Sequence, residues 1–354
     1  MADDFPHHRR RQVLLVGILL ATALVFLSRP APPEDEAESL PESIVEAIPE
    51  LTSAAISPHF PKPPALYASV EFWKRMFTEF GVGDFVLHDR DNLQVIYDVV
   101  QVSGTTNERR AQELAKPAME RARDRYEAIL VSLARGIPPE ALGFEGRWVD
   151  QAWGCPCPPE FLLHASGNIR AQQGLREKVE EGMLRARPLM PRILAILRRH
   201  KVPEELAALP MVESSFNPHA RSKAGAVGLW QILRSTGRRY LNVSHQRDDR
   251  RDPIQSTEVA ARLLRQKYQA LGSWPLAVVA YNHGTVGVHA ARAAVGSDAV
   301  EDIIAYYSGR RFGFASRNFY PEFLAALEII HPTILEHTPQ PPDPKRYSRL
   351  VREG

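Results

Sequence analysis

Apolar side chains recur at helical spacing through most of the chain. Trp73, Met76, Phe77 and Phe80 form a short stripe that stops at Gly81 and Gly83. After Asn107 a longer helix is predicted. It places Met119, Ala122, Tyr126, Ile129 or Leu130, and Leu133 on one buried face, and Gly136, Pro138 and Pro139 end it. Residues 84–102 read as strand or as irregular chain. From Gly167 onward helices follow one another with strong punctuation. Residues 170–187 are amphipathic through Leu175, Val179 and Met183, and residues 188–200 carry Ile193, Leu194, Ile196 and Leu197. Pro203 opens a third helix as a first-turn proline, and that helix ends close to Glu213. Asp252 and Pro253 form a cap and first-turn pair for a helix that reaches Leu271 and closes at Gly272; Pro275 starts another, containing Ala280 and Tyr281. No long two-residue alternation interrupts this part, so the fold is predicted to be all-α, or nearly so.

The N-terminus departs from that pattern. His7, His8, Arg9, Arg10 and Arg11 run into an uncharged apolar stretch over residues 13–27. This is the composition of an export signal, at the short end of the roughly 20 apolar residues that span a bilayer. The segment that follows holds Arg29, Pro30, Pro32 and Pro33 and lacks a clean small-x-small cleavage site, which favours an uncleaved anchor over a removable signal peptide. The basic cluster lies before the run and acids accumulate from Glu34 to Glu50, so the body of the protein is expected outside the cytoplasm, on the periplasmic side of the inner membrane. The organisation this predicts is a signal segment over 1–28, a Pro- and Glu-rich linker over 29–65, a helical accessory region over 66–166, a catalytic domain over 167–337 and a disordered tail over 338–354.

Composition narrows the function less. Lys and Arg number 44 against 42 for Asp and Glu, so the overall charge asks for no nucleic-acid partner. Cys155 and Cys157 are the chain's two cysteines. With His164 they fall short of the four ligands of a structural zinc, and free thiols or a labile bridge both remain open for them. No calcium loop of the D-x-D-x-D-G kind occurs, and no metal or organic cofactor is suggested.

The chemistry begins at Glu213. Residues 206–218 read LAALPMVESSFNP, in which one carboxylate follows Leu209, Pro210, Met211 and Val212. Desolvation among such neighbours raises a carboxyl pKa toward the range a general acid needs near neutral pH. A surface glutamate at a helix end reads equally well from this segment alone.

Further motifs decide between those readings. Glu213 with Ser214, the phrase GAVGLWQI over residues 225–232, Ala280–Tyr281–Asn282, and RNFYPEFL over residues 317–324 occur in the order of the motifs of the soluble lytic transglycosylases. The stretch over residues 170–327 resembles that family, and within it the membrane-bound branch D. Trp230 stands where the second motif more often has methionine, and Phe319 where the last motif usually has tyrosine, with Tyr320 following. The resemblance implies a lysozyme-like fold, peptidoglycan glycan strands as the partner, and Glu213 as the catalytic acid and then base. It also implies cleavage of the MurNAc-GlcNAc β-1,4 bond without water, leaving 1,6-anhydromuramyl ends.

Ordinary glycosidases use two carboxylates. The acids next downstream of Glu213 are Asp248, Asp249 and Asp252, none of them in a family motif, and Asp252 is explained as a helix cap. A single-carboxylate site fits a reaction in which the substrate supplies the nucleophile. Ser214, Gln231, Tyr281 and Asn282 are the expected substrate-binding residues. Gly225 and Gly228 are read as permitting close approach of the backbone to a sugar ring. Trp230 reads equally as a sugar-stacking face or as core, and Arg170, Gln173, Arg250 and Arg251 as structural or solvated. A hydrolytic muramidase and a non-catalytic wall-binding scaffold are the alternatives.

Overall fold

In the computed structural model, the chain is described over residues 57–337, residue 155 excepted. The predicted anchor, most of the linker and the predicted tail lie outside the described residues. Among the described residues no helix is long and apolar enough to cross a membrane.

The fold is mostly helical. The elements are α1 (Tyr67–Thr78), β1 (Asp84–Asp89), β2 (Ile96–Gln101), α2 (Glu108–Ala134), α3 (Gly143–Trp153), α4 (Pro159–Ser166), β3 (Ile169–Gln173), α5 (Arg176–Ala186), α6 (Met190–Arg199), α7 (Leu209–Ser214), α8 (Arg234–Gly237), α9 (Pro253–Leu271), α10 (Trp274–His283), α11 (Thr285–Val295), α12 (Val300–Tyr306) and α13 (Phe314–His337).

Helix boundaries follow the local chemistry. Asn107 caps α2 by accepting from the Arg110 amide, and Asp252 caps α9 by accepting from the amides of Ile254 and Gln255. Gly272, at φ 72°, ends α9 in the left-handed conformation that an L side chain adopts only with strain. Pro275 falls within the first turn of α10, whose cap is Ser273.

Residues 84–102, read as strand or irregular chain, form β1 and β2, which pair as an antiparallel hairpin within the otherwise helical region over residues 66–166. One expectation about elements needs correction. Residues 169–173 form strand β3 rather than the first turn of a helix, and β3 pairs antiparallel with the other edge of β1 to give the sheet order β2-β1-β3. The helix begins later, at Arg176. In Ile169–Gln173 only Ile169 is buried, so the segment has too few apolar positions for its period to be read; pairing with β1 decides it.

The main core takes residues from both halves of the chain. Phe72, Trp73 and Met76 of α1 are buried together with Leu194, Leu229, Ala277 and Phe323. Helix α1 packs along α13, where the Trp73 Nε1 donates to Asn318 Oδ1 at 3.0 Å. A second core gathers Leu87, Tyr97, Tyr126, Leu130 and Val149 between the sheet and α2. Cys157 is disulfide-bonded, beside this second core.

Candidate active site

Helix α7 is short because its chain turns sharply after Ser214. Ser215 and Phe216 both have positive φ, 49° and 56°, an unusual conformation for residues with a Cβ. What holds the turn is visible. Phe216 is fully buried, and the Arg185 guanidinium of α5 donates from Nε and Nη2 to the Ser215 carbonyl at 3.2 and 3.0 Å. Glu213 is therefore presented at the last turn of a helix whose other side, through Leu209, Pro210 and Met211, is core.

The Glu213 carboxyl is half-buried. Among the described residues it has no hydrogen-bond or ion-pair partner. Burial alone pushes it up to about 8. A carboxyl in that state is mostly protonated at neutral pH and can give a proton away.

Around it, side chains hold the loop over residues 217–233. The Ser214 hydroxyl donates to the Leu229 carbonyl at 2.8 Å, and the Tyr281 hydroxyl, from α10, donates to the neighbouring Trp230 carbonyl at 2.8 Å. Gln231 has φ 46°, and its amide Nε2 donates to the carbonyls of Gly228 at 2.9 Å and Ala220 at 3.3 Å. Asn282 is exposed, and its Oδ1 accepts from Ser316 at 3.0 Å. The four expected substrate-binding residues thus each spend a group on protein. Left free in these bonds are lone pairs on the Ser214 and Tyr281 hydroxyls, the Gln231 carbonyl oxygen and the Asn282 amide. The negative charge of Glu213 acts on Tyr281 and adds to burial in raising the Tyr281 hydroxyl well above its ordinary range.

Several neighbours have structural tasks. Trp230 is fully buried and its Nε1 donates to Thr257 Oγ1 at 2.8 Å, so it is core and stacks on no sugar. Gly228, at φ 86°, faces the backbone of Arg250: a Cβ there would lie 1.9 Å from the Arg250 carbonyl oxygen. Its close approach is to protein rather than to a sugar ring, whereas Gly225, at φ 79°, has nothing within 4 Å of the same position. Arg250 is buried, paired with Asp248 at 2.7 Å, and donates to the carbonyls of Gly225 and Ile232 at 3.0 Å each. Asp248 and Asp249 are engaged by Arg250 and Arg247, and Asp252 by its cap, so none of the three is free for chemistry.

The single-carboxylate expectation meets a second carboxyl. Glu322 sits on α13 between buried Pro321 and Phe323, inside the last of the sequence motifs. Burial and then the negative charge of Glu213 push it up to about 8, opposed by the positive charge of Arg170. The signal for it was present in the sequence: one carboxylate in the apolar run FYPEFLAAL, the same signature that marks Glu213. Phe319, at the usual tyrosine position, is buried, and the Tyr320 hydroxyl donates to the Pro61 carbonyl at 2.8 Å, so neither reaches the site.

Two cavities of about 800 Å³ flank this region. One is lined by Asn282, His283, Tyr307, Arg310, Arg311 and Ser316, and the other by Arg90, Arg170, Phe314 and Arg317 among others. Glu213 lines neither.

Residues 192–304 match the family model of the transglycosylase SLT domain. The chain is 43% identical over 173 residues to the membrane-bound lytic murein transglycosylase D of Escherichia coli K12, and equally to that of Escherichia coli O6:H1. Each alignment covers 43% of this chain and 38% of the relative, so the chain spans well under half the length of the curated relatives it matches.

Proposed function

The chain carries a transglycosylase SLT domain over residues 192–304, and on that premise we propose that it is a peptidoglycan lytic transglycosylase in which Glu213 is the acid and then the base. The observation that carries the reading is the Glu213 carboxyl itself: half-buried, pushed up to about 8 and without a hydrogen-bond or ion-pair partner among the described residues. The carboxyl proton goes to the oxygen linking MurNAc C1 to GlcNAc O4 as that bond breaks. The resulting Glu213 carboxylate then takes the proton of the muramyl 6-hydroxyl while O6 closes onto C1. Atoms balance without water, and the product is a 1,6-anhydromuramyl end.

The protonation state of Glu322 supports this reaction over hydrolysis. A two-carboxylate glycosidase needs its second carboxylate ionised, as nucleophile or as the base for water. Burial holds the Glu322 carboxyl above the usual carboxylate range and so disfavours the ionised form that either role needs. Ser214, Gln231 and Tyr281 are assigned to holding the loop against Glu213 while their free lone pairs meet the sugar, and Asn282 to the rim.

The relatives are described as membrane-bound. Together with the basic and then apolar N-terminal sequence, that favours a cell-envelope location facing the periplasm, with residues 1–28 as the anchor. The test is release of soluble glycan from intact peptidoglycan. Glu213→Gln is expected to lower it at least about 100-fold with an unchanged circular dichroism spectrum, and an active Glu213→Gln variant contradicts the assignment.

A further inference from the structure

Of the residues that line the cavity of about 800 Å³ at the end of α10, the proposed reaction uses Asn282 alone. The others share a pattern. The lining holds Arg310, Arg311, His283 and the hydroxyls of Thr285, Tyr307 and Ser316, and it holds no Asp or Glu.

The two arginines are presented by a turn whose position is fixed. The Phe312 amide donates to the Gly309 carbonyl at 2.7 Å, so Arg310 and Arg311 are the two central residues of a four-residue turn. The buried Phe312 ring meets the His283 ring edge-on at 4.9 Å and the Tyr307 ring at 5.3 Å. Before the turn, Arg317 of α13 donates to the carbonyls of Ile304 at 3.1 Å and Tyr307 at 3.0 Å. Arg310 and Arg311 themselves are exposed and make no hydrogen bond or ion pair among the described residues. The acids of the neighbouring segment are placed elsewhere: Asp298 pairs with Arg292, Asp302 accepts from Ser297, and Glu301 lines the other cavity.

Facing the turn is a run of polar groups. The buried Ser316 hydroxyl donates to Asn282 Oδ1 at 3.0 Å and lies 3.3 Å from His283 Nδ1, which leaves the Asn282 amide as a free donor. Burial and then the charge of Arg311 lower the His283 ring below its ordinary range, so at neutral pH the positive charge of the wall belongs to the two arginines. Val286, 84% exposed, and Ala290 add apolar surface. The cavity also adjoins the acid's own loop, because Asn282 follows Tyr281 on α10 and the Tyr281 hydroxyl holds the Trp230 carbonyl.

A muramyl residue set for cleavage at Glu213 carries a peptide stem on its lactyl group, and that stem bears free carboxylates. Guanidinium groups bind carboxylates through charge-assisted, often bidentate, hydrogen bonds. We propose that this cavity holds the peptide stem, with Arg310 and Arg311 bound to its carboxylates, and that the protein thereby selects glycan that still bears stems. The two arginines set specificity: they touch the stem and not the bond that breaks.

The stem site presupposes the lytic transglycosylase reading, and two readouts keep them apart. Initial rates of the full chain are measured on glycan strands bearing stems and on the same strands stripped by an amidase to their lactyl groups; binding of both is measured with Glu213→Gln, so that the strands are not consumed. The unaltered protein is expected to favour stem-bearing strands about tenfold in kcat/KM, with a matching ratio of Kd values. In the Arg310→Ala/Arg311→Ala variant that ratio falls toward one, and Arg310→Lys/Arg311→Lys keeps part of it. Raising salt from about 0.05 to 0.5 M narrows the ratio in the unaltered protein, a check that needs no variant at these positions. A ratio of one in the unaltered protein overturns the stem site, as does a ratio that the alanine variant or high salt leaves in place. A preference for stripped strands that the alanine variant loses would assign the arginines to the lactyl carboxylate and likewise overturns it. If Glu213→Gln cleaves as fast as the unaltered protein, the proposed reaction fails, and the kcat/KM ratio still decides for or against the cavity.

Discussion

The Tyr281 hydroxyl, reaching from α10, donates to the carbonyl of Trp230 at 2.8 Å. One residue earlier on the same loop, the Leu229 carbonyl accepts from Ser214, the residue after Glu213, also at 2.8 Å. Two neighbouring carbonyls are therefore clamped from two helices, which fixes the loop relative to the acid. Tyr281→Phe and Ser214→Ala should each lower stability by about 1–3 kcal/mol, because each leaves a carbonyl without its donor. The double variant should cost less than the sum, since both bonds hold one loop. Denaturant midpoints and glycan-release rates check this; unchanged midpoints with strongly reduced rates would instead place these hydroxyls on the substrate.

Glu213 sets an alkaline limit. Its proton is needed and is held up to about 8, so activity should be full below that pH and fall as pH rises through it. The same proton bears on stability. The carboxyl titrates at 4.5 when unperturbed and at about 8 in the fold, so between those values the folded state binds more protons than the unfolded chain. Stability therefore falls as pH rises through that window. Glu213→Gln should flatten the slope and make the variant the more stable protein at pH 9. Urea midpoints at pH 5 and 9 measure it, and parallel slopes would speak against a protonated Glu213.

Gly228 and Gly225 both have positive φ but should respond differently. Alanine at 228 collides with the Arg250 carbonyl, and that carbonyl belongs to the backbone entering α9. Gly228→Ala is expected to cost more than about 3 kcal/mol and to abolish activity, and Gly225→Ala, facing open space, about 1 kcal/mol from backbone strain alone. Thermal melts of the two variants make the comparison. Equal losses would mean that the Arg250 contact is unimportant.

Trp230 is a test of core against substrate contact. Trp230→Ala should destabilise by about 3–5 kcal/mol, as expected for an emptied aromatic site in a packed interior. Trp230→Phe should keep most of the packing and lose the bond to Thr257. A Trp230→Phe variant with unaltered stability but weakened glycan binding would place the ring against a sugar.

How far the sequence carries can be seen at particular residues. The cap of Asp252, the first-turn Pro253 and the stop at Gly272 act within a few residues of themselves, and α9 has the bounds they dictate. The apolar approach to Glu213 likewise announces a desolvated carboxyl, because its burying neighbours are adjacent in the chain. Strand β3 was not legible: its polar residues become a strand only because β1 offers an edge about eighty positions earlier. Trp230 could not be assigned either, since its partner Thr257 lies on α9, 27 positions further along the chain. Glu322 was legible as a carboxylate in an apolar run, but its nearness to Glu213 depends on the packing of α13 against α7, which no local pattern encodes.

The most direct test of the central claim is the mass of the soluble products released from intact peptidoglycan by the purified protein, with Glu213→Gln alongside. Muropeptides lighter than the reducing-end form by one water are expected from the unaltered protein, and none from the variant. Reducing ends of full mass would contradict it and make the protein a muramidase.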